Sequence, residues 1–181
     1  MLALVGFAAV VGGGANAPVC ADHAAQTART SGGSIAGYSG EQLENARTII
    51  DTAASLDLSA RAQVIGVMTA MGESGLRNLD YGDEAQGVTN PDGSVTCSLG
   101  VFQQQWCLEG SPWGDRDEVL DPQRASESFF AALAEVDGWE RMTATDAAHR
   151  VQANADPHHY TRWEAAAEQV VQRMTGVSCA G

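Results

Sequence analysis

A nearly all-apolar stretch runs from Gln63 to Met71, where almost every position is hydrophobic or small. A helix that is apolar on nearly every face is normally buried in the core of a domain. The pattern therefore predicts a central helix that begins after Ser59, a residue type that caps helix starts. This helix leaves Glu73, a carboxylate, at its buried end.

Several other segments show the spacing of amphipathic helices. Ser39 and Gln42 form a capping box, and Leu43, Ala46, Ile50 and Ala53 then share one face of a helix that should end near Leu56. Proline in the first turn of a helix marks its start. The further predicted helix starts are Asp121-Pro122, Thr143 with Asp146, and Asp156-Pro157, with the last of these helices ending before Gly176.

A polar, glycine-rich stretch from Asn78 to Cys97 follows the central helix. In it, Val88-Thr89 and Val95-Thr96 flank the turn Asn90-Pro91-Asp92-Gly93, which predicts a small β-hairpin. The segment from Leu99 to Trp106 is predicted to begin another helix. The fold class that results is mainly α, with five or six helices around a buried central helix and a small β-hairpin insertion.

The first 38 residues differ in character from the rest. An apolar run from Leu2 to Val11 precedes Ala15-Asn16-Ala17, which has the form of a signal-peptidase site. The run is shorter than the about 20 apolar residues that span a bilayer. Residues 1–20 are therefore interpreted as a signal peptide or the remnant of a membrane anchor, the alternative being a disordered tail. Residues 21–38 are predicted to be a flexible linker and residues 39–181 the folded domain.

The charge of the chain is strongly acidic. It carries 23 Asp and Glu against 10 basic residues, a net charge of -13, and every basic residue is Arg because the sequence contains no Lys. This balance argues against nucleic acid and against anionic membrane surfaces as partners. It does not argue against a neutral glycan.

The four cysteines contain no CxxC pair, and their spacing suits two disulfides better than a metal site. The preferred pairing is Cys97 with Cys107 and Cys20 with Cys179, although four cysteines allow three connectivities. Disulfides indicate an oxidising compartment outside the cytoplasm. His158-His159 does not predict a metal site, because adjacent side chains on a helix point in different directions. No metal and no cofactor is predicted.

Glu73 is the candidate for catalysis. Burial and the negative end of the helix dipole both disfavour its ionised form, so both raise the pKa of the carboxyl. A carboxyl that is still protonated near neutral pH can act as a general acid. The alternatives are an ordinary polar residue at a helix end and a buried carboxylate paired with Arg77 at helical spacing.

A family resemblance strengthens the catalytic interpretation. Glu73-Ser74, a polar insertion, and then Ser98-Leu99-Gly100-Val101-Phe102-Gln103 resemble the Glu-Ser … Gly-Leu-Met-Gln signature of soluble lytic transglycosylases and goose-type lysozymes. The wider pattern from Ala62 to Gln104 is more similar still to lysozyme-like domains of actinobacterial and phage cell-wall proteins. The resemblance covers residues 40–165. The Ala-Tyr-Asn motif of transglycosylases has no clean match, and Gln152-Ala153-Asn154 and Tyr160 come nearest to it.

This resemblance implies a lysozyme-like fold that cleaves the β-1,4 bond between N-acetylmuramic acid and N-acetylglucosamine in peptidoglycan. Glu73 would protonate the glycosidic oxygen, and in a hydrolase a second carboxylate would assist the attacking water. Asp83 is the preferred second carboxylate among Asp80, Asp83, Glu84 and Asp92. The residues expected to contact the glycan are Ser74, Tyr81, Gln103, Gln104 and Tyr160, whereas Trp106 and Trp163 are expected in the core.

The expected setting is extracytoplasmic, with the chain secreted or anchored at the cell wall. There it would act in wall remodelling, in opening a passage for a secretion or conjugation apparatus, or in phage lysis. One alternative is a glycan-binding or assembly module that has the lysozyme-like shape but no turnover. Another is a secreted inhibitor or effector held together by its disulfides.

Overall fold

The computed structural model describes residues 20–22, 33–83 and 87–179, of which 20–22 and 177–179 are described by their backbone alone. Nearly all of the predicted signal peptide, most of the predicted linker, and Glu84 lie outside the described residues. Within the described ranges no helix has both the length and the apolar character needed to cross a bilayer.

The architecture is mainly α-helical with two small antiparallel sheets, which confirms the predicted fold class at this level. The helices are α1 (Glu41–Ser55), α2 (Ala60–Ser74), α3 (Arg116–Val119), α4 (Pro122–Ala134), α5 (Ala144–Gln152) and α6 (Glu164–Thr175), with short 3-10 helices at Trp139–Arg141 and Thr161–Trp163. The strands are β1 (Cys20–Asp22), β2 (Ser98–Leu99), β3 (Gln104–Gln105) and β4 (Val177–Cys179).

Helix α2 is the centre of the fold, as its apolar sequence predicts. Every residue from Ala62 to Met71 is buried, and the helix packs against α1, α4, α5 and α6. Its N-cap is Ser59, as predicted, although the Ser59 side chain makes no capping hydrogen bond. Because α2 is enclosed by four helices, its C-terminal end at Glu73 and Ser74 is fixed rigidly in the molecule.

The folded part extends beyond its predicted start at residue 39. Ile35 is buried in the core and its backbone pairs with that of Tyr38. Strand β1 pairs with β4, with Cys20 opposite Cys179. The side chains of these two cysteines are outside the described part of the chain, so their disulfide stays a prediction. The Cys97–Cys107 disulfide is confirmed and closes a short loop.

Two local predictions are wrong. The segment from Leu99 to Trp106 does not begin a helix, because β2 and β3 pair as a tight antiparallel hairpin. The last helix begins at Glu164, after a turn and a 3-10 helix, and not at Asp156-Pro157.

Two other local predictions are confirmed in reduced form. The predicted hairpin around Asn90–Gly93 is present with one antiparallel bridge, between Thr89 and Val95. In α1 the N-cap is Gly40, and only the Gln42 half of the predicted capping box forms, with the Ser39 amide donating to Gln42 Oε1 at 3.4 Å.

Candidate active site

Glu73 lies in the last turn of α2, where its side chain is half-buried. Burial raises the pKa of the carboxyl to about 7, a hydrogen bond from Tyr160 opposes the rise, and the charge of Asp83 adds to it. The alternative of an ion pair with Arg77 is not supported. Arg77 is exposed beyond the end of the helix, and the two ion pairs found in the described part of the chain, Arg47–Asp51 and Arg124–Glu118, do not involve Glu73.

Tyr160 is the direct partner of Glu73. It is fully buried, and its hydroxyl donates a hydrogen bond to Glu73 Oε1. Burial, followed by the charge of Glu73, raises the pKa of the phenol, so the hydroxyl keeps its proton. Gly72 makes this contact sterically feasible, since a Cβ there would lie 2.7 Å from Tyr160 Cδ1 and 2.9 Å from Cε1. The aromatic ring therefore rests on the backbone of α2 and directs its hydroxyl at the carboxyl.

Two neighbouring loops surround the end of α2. The Gly100 amide donates to Leu79 O at 2.7 Å, which joins the loop after α2 to the β2–β3 turn. Ser74 Oγ donates to Val101 O at 2.8 Å, which fastens the same turn to the helix. Asp83, on the first of these loops, is exposed and near enough for its charge to act on Glu73. These contacts hold the loop that carries Asp83 against the turn that is bonded to the end of α2.

Two of the predicted glycan contacts have exposed or partly exposed side chains beside this end of α2. Tyr81 is 56% exposed. Gln103 is half-buried, and its Nε2 donates to Gly100 O at 3.1 Å and reaches Tyr81 O at 3.5 Å. Trp106 was expected in the core but is 36% exposed, whereas Trp163 packs partly buried against the core. The Tyr81 ring and part of the Gln103 side chain are thus exposed beside this end of α2.

Three of the residues predicted to contact the glycan are buried. Gln104 is buried, and its Nε2 donates to Ala125 O at 3.2 Å. Ser74 is also buried, with its hydroxyl bonded to the backbone. Tyr160 is fully buried and contacts Glu73, so it offers no ring face for a sugar to stack on. In this conformation the three side chains are bonded within the protein, and their contact with a glycan strand stays a prediction.

Of the other proposed second carboxylates, the structure describes Asp80, which is exposed, and Asp92. Asp92 is fully exposed in a turn, where its side chain accepts from Ser94 Oγ at 2.6 Å and from the Ser94 amide at 2.9 Å. These hydrogen bonds, led by the one from the hydroxyl, lower the pKa of Asp92. Glu84 is outside the described residues. In residues 33–83 and 87–176 no group of three or more His, Cys, Asp or Glu side chains is arranged to hold a metal ion.

Two polar residues near Tyr160 were not predicted as part of the site. Asn154 lowers the pKa of the Tyr160 phenol, against the larger effect of burial. His149 Nδ1 lies 2.9 Å from Asn154 Oδ1. The sequence offers a signal for Asn154 only, in its likeness to the last residue of the Ala-Tyr-Asn motif. Nothing in the sequence points to His149. Its contact with Asn154 depends on the turn that ends α5, and the sequence does not reveal that turn.

Replacing Tyr160 by Phe is expected to raise the pKa of Glu73 above about 7, because the lost hydrogen bond favours the carboxylate. A hydrogen bond to a charged group is strong enough to make this rise about one unit. The titration of the Glu73 carboxyl carbon by NMR measures it, with Tyr38→Phe as the matched control. An unchanged midpoint in a folded Tyr160→Phe variant would contradict the assigned contact.

Two comparisons with known proteins identified no relative of this chain. No protein-family model matches the chain, and no curated protein matches it significantly. The function is therefore inferred from the residues themselves: a carboxyl with a raised pKa at the end of a buried helix, a buried phenol bonded to it, and a second carboxylate nearby.

Proposed function

We propose that this protein is a peptidoglycan glycosidase with a lysozyme-like fold, and that Glu73 is its general acid. The observation that carries the proposal is the position of Glu73: its carboxyl is half-buried at the end of α2 and accepts a hydrogen bond from the buried Tyr160, and this burial raises its pKa to about 7. At neutral pH about half of such a carboxyl holds a proton that it can donate, whereas an ordinary Glu holds almost none. The resemblance of the segments around Glu73 and Gln103 to lysozyme-like domains supplies the substrate class.

In the proposed reaction the Glu73 proton passes to the glycosidic oxygen between N-acetylmuramic acid and N-acetylglucosamine as the bond to the anomeric carbon breaks. In the hydrolytic route a water attacks that carbon and gives a proton to Asp83. In the transglycosylase route the muramyl 6-hydroxyl attacks instead and returns its proton to Glu73, which leaves a 1,6-anhydro end. Tyr160 holds the Glu73 carboxyl in place in both routes.

The surface beside Glu73 suits a glycan strand. Tyr81 presents an exposed aromatic face there, on which a sugar ring can stack. Trp106, directly after β3, is a second exposed aromatic ring. Gln103 Nε2 is directed at Gly100 O and Tyr81 O, and Gln103 Oε1 can accept from N-acetyl and hydroxyl groups. The Cys97–Cys107 disulfide fixes the loop that carries Trp106.

The same disulfide is compatible with a location outside the cytoplasm. The proposed setting is the cell wall, where the protein would act in remodelling, in assembly of a wall-spanning secretion or conjugation apparatus, or in phage lysis.

Mass spectrometry of the products released from purified murein tests this proposal. We expect muropeptides whose new ends are either reducing or 1,6-anhydro, two forms that differ by one water. Reducing ends would assign the hydrolytic route, and anhydro ends the transglycosylase route. A folded protein that releases no muropeptide under any buffer condition would contradict a glycosidase.

The second candidate function is a glycan-binding or assembly module without turnover. The net charge of -13 favours it, because the wall carries anionic polymers that repel an acidic protein at low salt. Co-sedimentation with intact murein separates the two functions. A module would remain bound to the sediment while digestion produces no new glycan ends, whereas an enzyme would release soluble fragments.

The activity is expected to have an alkaline limit set by Glu73. A general acid works in its protonated form, so kcat/KM should fall about tenfold for each pH unit above a midpoint of about 7. Turnover of solubilised glycan strands between pH 5 and 9, at constant ionic strength, gives this profile. Activity that stays constant up to pH 9 would contradict Glu73 as the acid.

A further inference from the structure

We propose that Gln152, the last residue of α5, is a positioning residue for glycan binding, because its side chain holds the turn that carries Gln103. Gln152 Nε2 donates to Phe102 O at 2.8 Å, between residues 50 positions apart in the sequence. The inference rests on the proposed function where it treats Gln103 as a glycan contact. The hydrogen bond and its effect on the backbone are independent of any substrate.

Two consecutive carbonyls of the β2–β3 turn accept hydrogen bonds from side chains of two different helices. Val101 O accepts from Ser74 Oγ at 2.8 Å, at the end of α2. Phe102 O accepts from Gln152 Nε2, at the end of α5. The turn is therefore bonded to both helices, and Gln103 follows directly after the second bonded carbonyl.

Gln103 has a backbone conformation that is uncommon for a residue with a side chain. Its φ is 49°, in the left-handed region, where a Cβ costs free energy. Reversing the peptide group between Phe102 and Gln103 would bring this φ into the ordinary extended region. The reversal would also point Phe102 O away from Gln152. The hydrogen bond from Gln152 therefore favours the left-handed form of Gln103 over its relaxed alternative.

The same peptide group closes the turn. The Gln103 amide donates to Gly100 O at 3.3 Å, and Gln103 Nε2 donates to the same oxygen at 3.1 Å. A backbone bond of 3.3 Å is longer than the usual range, so it holds the peptide group less firmly than the bond from Gln152 does. If the peptide group reversed, the turn would lose its closing bond. The side chain of Gln103 would then no longer be held with Oε1 free to accept from a sugar.

The end of α5 gives Gln152 a fixed position. Val151, the residue before it, is buried in the core. Ala153, the residue after it, caps the helix, and its amide donates to His149 O at 2.8 Å. The Gln152 side chain itself is half-buried. A substitution at this position can therefore remove the N–H donor and leave the core packing of α5 in place.

Gln152→Met tests the effect on the backbone, because Met has a similar length but no N–H donor. A left-handed residue holds its own amide proton close to its Hα, which gives a strong NOE between the two in an NMR spectrum. We expect this NOE of Gln103 to weaken in Gln152→Met and to recover in Gln152→Lys, which supplies an N–H donor again. The matched control is Gln169→Met, which changes an exposed glutamine on α6 and should leave the NOE unchanged.

Calorimetric titration with solubilised glycan strands tests the effect on binding. All variants are compared in a Glu73→Gln background, so that the strands are not cleaved. Kd should rise about fivefold to tenfold in Gln152→Met, the equivalent of one lost hydrogen bond, and recover in Gln152→Lys. With Glu73 present, kcat should stay at the parent value, because Tyr160 and not Gln152 holds the carboxyl.

The inference requires that the NOE and Kd change together. A parent-like NOE or a parent-like Kd in folded Gln152→Met would overturn it, as would strands that bind neither parent nor variant. A residue that only stabilised the fold would lower the unfolding temperature and leave Kd unchanged. Gln152→Ala replaces Gln152→Met if the latter does not fold. Failure of the proposed function is a different result, in which the parent binds strands but releases no muropeptide.

Discussion

Replacing Glu73 by Gln is expected to reduce the release of muropeptides from purified murein by at least about 10²-fold, the lower end of what general acid catalysis contributes. Gln has the same shape and can still accept the hydrogen bond from Tyr160, so the fold should be retained. What it lacks is the proton that a carboxyl with a pKa of about 7 delivers to the leaving oxygen.

The same substitution is expected to stabilise the fold at alkaline pH. The pKa of Glu73 is raised from 4.5 to about 7 in the folded protein, so the folded state holds the proton more tightly than the unfolded chain does. This contribution is complete below about 4.5 and is lost as the pH rises through about 7. Above that, burying the ionised carboxyl costs at most about 3 kcal/mol, and less where water reaches the half-buried group. Gln avoids this cost.

Activity on murein and thermal unfolding between pH 5 and pH 8 measure the two effects together. The stability advantage of Glu73→Gln should be small at pH 5 and grow toward pH 8. Glu168→Gln is the matched control, because burial also raises the pKa of Glu168, which lies on α6. That variant should digest murein at the parent rate. Parent-like turnover by Glu73→Gln would remove Glu73 from the mechanism.

The sequence was sufficient to predict the helices whose signals are local. The unbroken apolar run predicts α2, and Asp121 caps α4 as expected, with its side chain accepting from the amides of Gln123 and Arg124. The hydroxyl of Thr143 likewise accepts from the Asp146 amide at the start of α5. The raised pKa of Glu73 was also predictable, since burial at the end of an apolar helix is visible in the pattern.

The errors arise where distant contacts override local signals. Asp156-Pro157 has the form of a helix start, but Asp156 instead accepts from the His158 amide in a turn. That turn leads directly to Tyr160, which burial and the contact with Glu73 hold in place. Sequence spacing cannot reveal that two residues 87 positions apart share a hydrogen bond. The sequence therefore predicts that Tyr160 contacts the sugar. In the structure Tyr160 is buried and donates a hydrogen bond to Glu73, the proposed general acid.

In the Gly100–Gln103 turn, too, distant contacts override the local sequence signal. Its residues have the composition of a helix start, yet Gly100 and Gln103 both adopt positive φ values, of 77° and 49°. What selects this backbone is the packing of Val101 and Phe102, which are fully buried, and the hydrogen bond from Ser74 to Val101 O. A strained turn that ends at a candidate sugar-binding residue is a common feature of functional sites.

Replacing Gly100 by Ala is expected to be among the most destabilising substitutions in the chain, with a loss of about 3 kcal/mol or more in the free energy of unfolding. A Cβ at this position would lie 1.9 Å from Val119 O, a backbone atom that no side-chain rotation can move aside. The positive φ of 77° adds strain for any residue other than glycine. The Gly100 amide also bonds to Leu79 O, so a shift here displaces the loop that carries Tyr81 and Asp83.

Gly110→Ala separates the two causes of this loss of stability, the close approach to Val119 O and the strain of a positive φ. Gly110 has nearly the same φ, 71°, but a Cβ there meets nothing within 4 Å. Its loss of stability should be about 1 kcal/mol, the strain of the backbone alone. Urea denaturation of both variants gives the difference, which is the cost of the contact with Val119. Equal losses would show that the β2–β3 turn can move away from α3, and the turn would then not hold Gln103 rigidly beside Glu73.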